Sequence, residues 1–290
     1  MNRNLRIISL IPSATEIVYL LGLEKYLVGR SDDSNYPSKV NKVPAISFKT
    51  IGQNLTSLEI DNEVKNSLHQ GRSLFHLDRK LLNELNPNLI LTQELCRVCA
   101  IPLFEVKKAA RILDSNTKII SLEPESIEDI LDNILMIGEA TQTLEKAHEI
   151  VQSLKKRMKK ISLLSQTNPT YPTVIILEWM DPIMTPGHWV PEMVEKAGGK
   201  ILLSRPLGKS EYVDWEEIVK ADPDFLIFAP CGFTVKKTQE EFKAFKKKYD
   251  LTKLKAFKEK RAHILDGDAY FTRSGPRVIK GIEILSNIFH

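Results

Sequence analysis

No stretch of this 290-residue chain approaches the roughly eighteen uninterrupted apolar residues that a membrane-crossing helix needs, so no membrane insertion is expected. Cysteine is scarce. Cys96, Cys99 and Cys231 make an odd count, the wrong arithmetic for a disulfide framework and one that suits a reducing compartment. Neither sign of charge dominates: 41 basic residues stand against 37 acidic ones, and a net charge of +4 leaves no footprint for nucleic acid or an anionic membrane. The strings G-x-x-x-x-G-K-[ST], G-x-G-x-x-G and G-x-S-x-G are absent, which removes the usual phosphate cradles and the serine nucleophile elbow. The opening MNRNLRIISLIPSATEIVYLLGL is broken early by Pro12, Ser13, Thr15 and Glu16, and no small-residue cleavage site follows. On that ground the chain is expected in the cytoplasm, or in the periplasm only if its true start lies upstream.

What the chain does have is a hydrophobic content of 42% and a charged content of 27%, those of a globular protein with ample core. Its length suits one large domain or two ordinary ones. Near the middle, Leu144, Ala147, Val151, Leu154, Met158 and Ile161 recur at steps of three and four, one stripe of a helix over 143–165. Thr143 is its expected N-cap, and a turn-rich SQTNPTYP ends it. On either side the same grammar is repeated. LDRKLLNELNPNLILTQE in the first half answers VDWEEIVKADPDFLIFAPC in the second, and each is a helix, a turn and a short apolar strand. The expected fold is therefore α/β: two small α/β sandwich lobes with mainly parallel sheets, over 1–142 and 166–290, joined by the long helix. Ligands of such sheets usually bind at the strand ends.

The opening RIISLIPSATEIVYLLGL, the paired NPNLILT and DPDFLIFAP blocks and the mid-chain helix resemble the helical-backbone family of periplasmic substrate-binding proteins. These are the cobalamin- and iron-siderophore-binding receptors of ABC importers, and the nearest likeness is to the cobalamin branch. The resemblance covers essentially the whole chain. It implies two lobes joined by one rigid helix, a small-molecule ligand between them and an ABC permease as partner. Receptors of that family commonly carry one Glu on each lobe for docking on permease arginines. Glu216 or Glu217 fits the second lobe, whereas Lys80 stands near the expected place on the first, with only Asp78 acidic.

Candidate binding residues fall in the loops after the expected strands, where binding groups concentrate. In the first half, Ser13, Thr15 and Glu16 put hydroxyls and amides at a helix start, suited to an anion or to ordinary capping. Tyr36 and Glu94 occupy two further loops. In the second half, Glu178 and Trp179 close a strand, and Trp189 and Glu192 follow in the Pro- and Gly-punctuated loop beyond it. Trp179 and Trp189 suit a flat ligand such as a corrin, or else fill core. Phe233 lies in the loop PCGF. Tyr270, Arg273 and Arg277 suit a carboxylate- or phosphate-bearing ligand, because guanidinium binds such groups in a fork. Cys96, Cys99, Cys231 and His188 follow strands on both halves and form a donor set for zinc or iron, should they meet; a packed or redox-idle pair is the alternative for Cys96 and Cys99. The basic run EEFKAFKKKYDLTKLKAFKEKR spaces Phe242, Phe245 and Tyr249 for one buried face and reads as a solvated helix rather than a nucleic-acid surface.

Two functions follow. The first is a substrate-binding protein for cobalamin, another corrinoid or a metal chelate, with no catalytic residue. The second is a cytosolic metalloprotein or metal-dependent enzyme that uses the Cys/His set on the same scaffold.

Overall fold

The computed structural model describes residues 4–52, 54–94, 101–111, 113, 117–165 and 171–290. In chain order the elements are β1 (Ile7–Ser9), α1 (Pro12–Leu20), β2 (Leu27–Ser31), β3 (Ala45–Lys49), α2 (Ser57–His69), β4 (Phe75–Leu77), α3 (Arg79–Leu85) and β5 (Leu89–Thr92). Next come α4 (Leu103–Ala110), β6 (Lys118–Ser121), α5 (Ile127–Ala140) and the long α6 (Leu144–Ser165). The second half holds β7 (Thr173–Leu177), β8 (Trp179–Met180), β9 (Ile183–Thr185), α7 (Val190–Lys196), β10 (Lys200–Ile201), β11 (Glu211–Tyr212), α8 (Trp215–Ala221) and β12 (Phe225–Phe228). It closes with α9 (Val235–Lys248), α10 (Lys255–Lys258), β13 (Ala262–Ile264), α11 (Gly267–Tyr270) and α12 (Val278–Phe289).

The chain divides into two compact units. Unit 1 holds the residues up to Asn54, Asn62–Pro124 and Asp129–Val151; unit 2 holds Leu55–Asp61, Glu125–Glu128 and Gln152–His290. The division falls inside α6, so one unbroken helix joins the two α/β lobes, as the hydrophobic stripe implies.

In unit 1 a six-stranded sheet runs β4-β3-β2-β1-β5-β6. Every pair is parallel except β3 with β4. Its centre is β1, where Ile7 and Ile8 are fully buried and lie opposite Leu89 and Ile90 of β5. A continuous apolar run without alternation is what a strand covered on both faces requires. In unit 2 the parallel sheet β10-β7-β12-β13 is centred on β7 and β12, and a small antiparallel sheet β11-β9-β8 follows β7 in the chain. Ile175 and Leu177 of β7 share a core with Leu226 and Phe228 of β12. Residues two apart lie on one sheet face, and α8, α9 and α10 cover this one with Trp215, Ile218, Phe245 and Ala256, joined by Leu254 just before α10. The lysine-rich α9 thus presents its aromatic stripe inward, with Phe245 buried and Phe242 and Tyr249 packed beside it.

The internal repeat is exact in its punctuation. Asp78 caps α3 by accepting from the Leu81 amide at 2.9 Å, and Asp214 caps α8 in a reciprocal capping box with Glu217. Both helices end on a left-handed residue before proline: Asn86 at φ 39°, ψ 64° and Asp222 at φ 38°, ψ 65°. The following strand then pairs in parallel with the first strand of its unit, β5 with β1 and β12 with β7.

Several elements escape the sequence pattern. The stretch from Ile46 to Gly71 is too weakly patterned for assignment, yet it holds β3 and α2. Strand β4 occupies Phe75–Leu77, so α3 starts two residues later than its periodicity suggests. β8 to β11 are two or three residues each, below what alternation can reveal.

Candidate functional site

Strand ends carry the candidate residues, and in unit 2 the local backbone ties three of those ends together. Ala229, after β12, donates its amide to Leu177 at the end of β7 at 3.1 Å. The Cys231 amide then donates to the Glu178 carbonyl at 2.9 Å, and the Asp268 amide, after β13, donates to the Phe233 carbonyl at 3.1 Å. Gly267 permits this contact: a Cβ there would lie 2.1 Å from the Pro230 carbonyl oxygen. Glu178, Trp179, Cys231, Phe233 and the α11 loop therefore form one patch.

Within it, the rings of Trp179 and Phe233 lie 5.2 Å apart at an interplanar angle of 53°, and the Lys237 ammonium stands 5.5 Å from the Phe233 ring centre. Removal of the Glu178 carboxyl from water pushes its pKa up to about 7, against a hydrogen bond from Ser210 that lowers it. Arg277 lies 5.9 Å from the Tyr270 ring centre. Arg273, by contrast, grips Asp268 through a bidentate ion pair at 2.7 and 2.9 Å, with its side chain only 8% exposed. That geometry braces the loop.

Trp189 and Glu192 are engaged by the protein itself. Trp189 is buried, its indole N–H bonded to the Phe271 carbonyl at 2.8 Å, which makes it core filling that also pins the α11 loop. Glu192 accepts from the Ile127 amide at 2.9 Å and pairs with Lys196 at 3.1 Å. His188 has a left-handed backbone at φ 52°, fixed by its amide donating to Gly208 at 2.7 Å. Its ring sits 5.9 Å from that of Trp189, its buried Nδ1 has no hydrogen-bond partner among the described residues, and desolvation lowers its pKa.

In unit 1, Ser13, Thr15 and Glu16 lie buried in the first turns of α1, which starts with Pro12 and has no side-chain cap. Thr15 is spent internally: its hydroxyl bonds Ser9 and Ser34, each at 2.8 Å, and Ser34 bonds Ser31 at 2.9 Å. Tyr36 is half exposed before a cis Pro37. Glu94 is exposed, with its amide bonded to the Glu123 carboxylate at 2.8 Å. Thr92, at the end of β5, keeps a buried hydroxyl without a hydrogen-bond partner among the described residues.

The four-member metal set rests on Cys96 and Cys99, which lie outside the described residues. Among the described residues no group of three or more His, Cys, Asp or Glu is placed to hold a metal ion. Sequence reasoning also misses Ser57 and Glu241. Ser57 donates its amide and hydroxyl to Glu241 at 3.0 and 2.8 Å, and its carbonyl accepts from the Trp179 indole at 3.2 Å. The signal was present in Thr56-x-x-Glu59, a capping-box spacing that announces the start of α2.

The chain is 29% identical over 286 residues to the uncharacterized ABC transporter substrate-binding lipoprotein YvrC of Bacillus subtilis (strain 168), covering 97% of this chain and 78% of that protein. A possible iron-binding (periplasmic solute-binding) protein from Staphylococcus epidermidis ATCC 12228 is similar in structure, with a TM-score of 0.74, 27% identity and 98% of both chains covered. The periplasmic vitamin B12 binding protein BtuF of Vibrio cholerae shares the fold at a TM-score of 0.70 and 19% identity, covering 98% of this chain and 96% of that one. Among the described residues no helix is long and apolar enough to cross a membrane.

These likenesses overturn the expectation of a cytoplasmic protein. The apolar start weighed as a leader is β1 and α1 of the folded core, so its poor match to a signal peptide carries no information about compartment. A lipoprotein relative and a family of periplasmic proteins place chains of this kind outside the cytoplasm. The sequence pattern of one family spans residues 7–269, and the chain is a substrate-binding protein that belongs to it, the periplasmic binding protein family.

Proposed function

We propose that this chain is the substrate-binding component of an ABC importer and that its ligand is a large planar metal chelate, a corrinoid first and haem or another iron chelate second. The observation that carries the ligand class is the Trp179–Phe233 pair at the joined ends of β7 and β12. The partly exposed Trp179 ring, backed by the buried Phe233 with Lys237 over it, offers an apolar contact with a cationic rim, and Arg277 beside Tyr270 adds positive charge toward carboxylate or phosphate groups. The vitamin B12 binding protein and the possible iron-binding protein that share the fold support the same class. Docking on the permease would run through α8, where Glu216 is exposed while Glu217 is occupied in capping Asp214 at 2.8 Å.

The test is titration of the purified protein with cyanocobalamin and, separately, with hemin, followed by visible difference spectra and tryptophan quenching. One of the two should bind in the micromolar range or tighter, and Trp179→Ala should weaken it at least tenfold. Absence of binding by both at about 100 μM, a concentration well above the dissociation constant expected of a dedicated receptor, would end the corrinoid and haem readings.

A further inference from the structure

We propose that Glu241 is a positioning residue for the ligand face, holding both rings of the Trp179–Phe233 pair through separate partners; the inference rests on the ligand reading of that pair. One carboxylate oxygen accepts from the amide and the hydroxyl of Ser57, and the Ser57 carbonyl holds the Trp179 indole N–H. The other oxygen pairs with Lys237 at 3.0 Å, and the Lys237 ammonium stands over the Phe233 ring. The Glu241 side chain is only 10% exposed, so its acceptor capacity is spent on these three donors rather than on water.

Helix capping alone does not account for this arrangement: Glu241 takes the orphan Ser57 amide of the first turn, but it also holds the Ser57 hydroxyl and Lys237. The start of α2 already has a local cap, since Thr56 and Glu59 satisfy each other reciprocally at 2.8 and 3.3 Å. Glu241 comes from the second turn of α9, far away in sequence, and is a second carboxylate at the same helix end. Burying it costs desolvation, and that cost, the largest influence on its pKa, is outweighed by the Ser57 hydrogen bonds and Lys237, which leave the pKa below the ordinary value. Tyr212 adds a further tether to the same short segment, its hydroxyl lying 3.3 Å from Asp61. The segment Leu55–Asp61, grouped with unit 2 although it comes from the first half of the chain, is thereby fixed where it can set the tilt of Trp179.

The experiment uses full-length protein labelled with 5-fluorotryptophan, its three ¹⁹F resonances assigned by Trp179→Phe, with cyanocobalamin and hemin as binding probes. Glu241→Ala should shift or broaden the Trp179 resonance, leave those of Trp189 and Trp215 in place, and weaken the bound probe about tenfold. Glu241→Gln, which can still accept from Ser57, should keep the Trp179 resonance near its wild-type position and guards against a folding defect in the alanine variant. An unmoved Trp179 resonance in Glu241→Ala would overturn the proposal, as would all three resonances moving together. Full probe affinity in Glu241→Ala, where Trp179→Ala has lost it, would overturn it too. Full affinity in Trp179→Ala itself sinks the ligand reading instead, and the fluorine resonances then decide the positioning geometry alone.

Discussion

Glu178 shows how one side chain reports the character of the strand-end patch. Its folded-state pKa of about 7 lies above the ordinary carboxylate value of 4.5, so the folded protein binds that proton more tightly than the unfolded chain does. Its contribution to stability is therefore greatest at acid pH, declines as pH rises from about 4.5 through 7, and is level beyond. Replacing it by glutamine should abolish the decline: Glu178→Gln should gain on wild type by about 1–3 kcal/mol between pH 5 and pH 8, read from urea midpoints. An identical pH dependence in both proteins would refute the assignment. Ser210, the hydrogen-bond partner of Glu178, also lies against Gly187, where a Cβ would meet the Gly208 oxygen at 2.3 Å and the Ser210 nitrogen at 2.7 Å. Because these are backbone atoms, Gly187→Ala has to displace the 208–210 loop. It should cost about 1–3 kcal/mol and disturb His188, whose amide is held by the same loop. Residue types were legible here and their roles were not. Trp179 and Trp189 look alike in sequence, and only burial separates the partly exposed ring from the core one.

At the scale of elements, legibility followed the strength of each hydrophobic pattern. β1, β5, β7 and β12 are continuous apolar runs beside turn residues, and α6 has a clean stripe; all emerge from sequence alone. α2 does not, because Leu58 and Leu68 are exposed and its start is fixed by polar groups instead. Burial also changes how α6 should be probed. Val151 and Leu154 are both core residues, so glycine there would leave cavities worth about 2–5 kcal/mol and obscure any effect of helix stiffness. Gln152 and Ser153 are exposed at the place where the two units divide. The pair Gln152→Gly with Ser153→Gly should cost only about 1 kcal/mol of helix propensity in total, yet weaken cyanocobalamin or hemin binding severalfold if the helix works as a stiff connector. Wild-type affinity in that double variant, with melting lowered by a few degrees, would count against the connector role.

At the scale of the molecule, the repeat made both the fold and the family readable, because each half uses the same Asp cap, left-handed stop, proline and strand. The compartment was not readable, since the segment inspected for a leader is occupied by the first core strand and helix. The same repeat supplies a comparison between the two halves. Lys80 of α3 and Glu216 of α8 occupy matching positions, each two residues after the capping aspartate, and both are exposed. Neighbouring carboxylates are already committed: Asp78 to the Leu81 amide and Glu217 to the Asp214 amide. Glu216 is thus the acidic group of its turn left to face a partner, and the opposite charge stands at its counterpart. A docking contact that reads this pair is charge-asymmetric, and long-range attraction at exposed sites acts mainly on association. In a strain lacking the wild-type chain, Glu216→Lys should lower uptake of radiolabelled cyanocobalamin or haem severalfold while the purified variant keeps its affinity for the same compound. Lys80→Glu should also lower uptake if the partner surface is matched to a lysine, and should raise it if the partner surface is basic on both sides. Uptake unchanged in both variants would show that docking does not use these two helices.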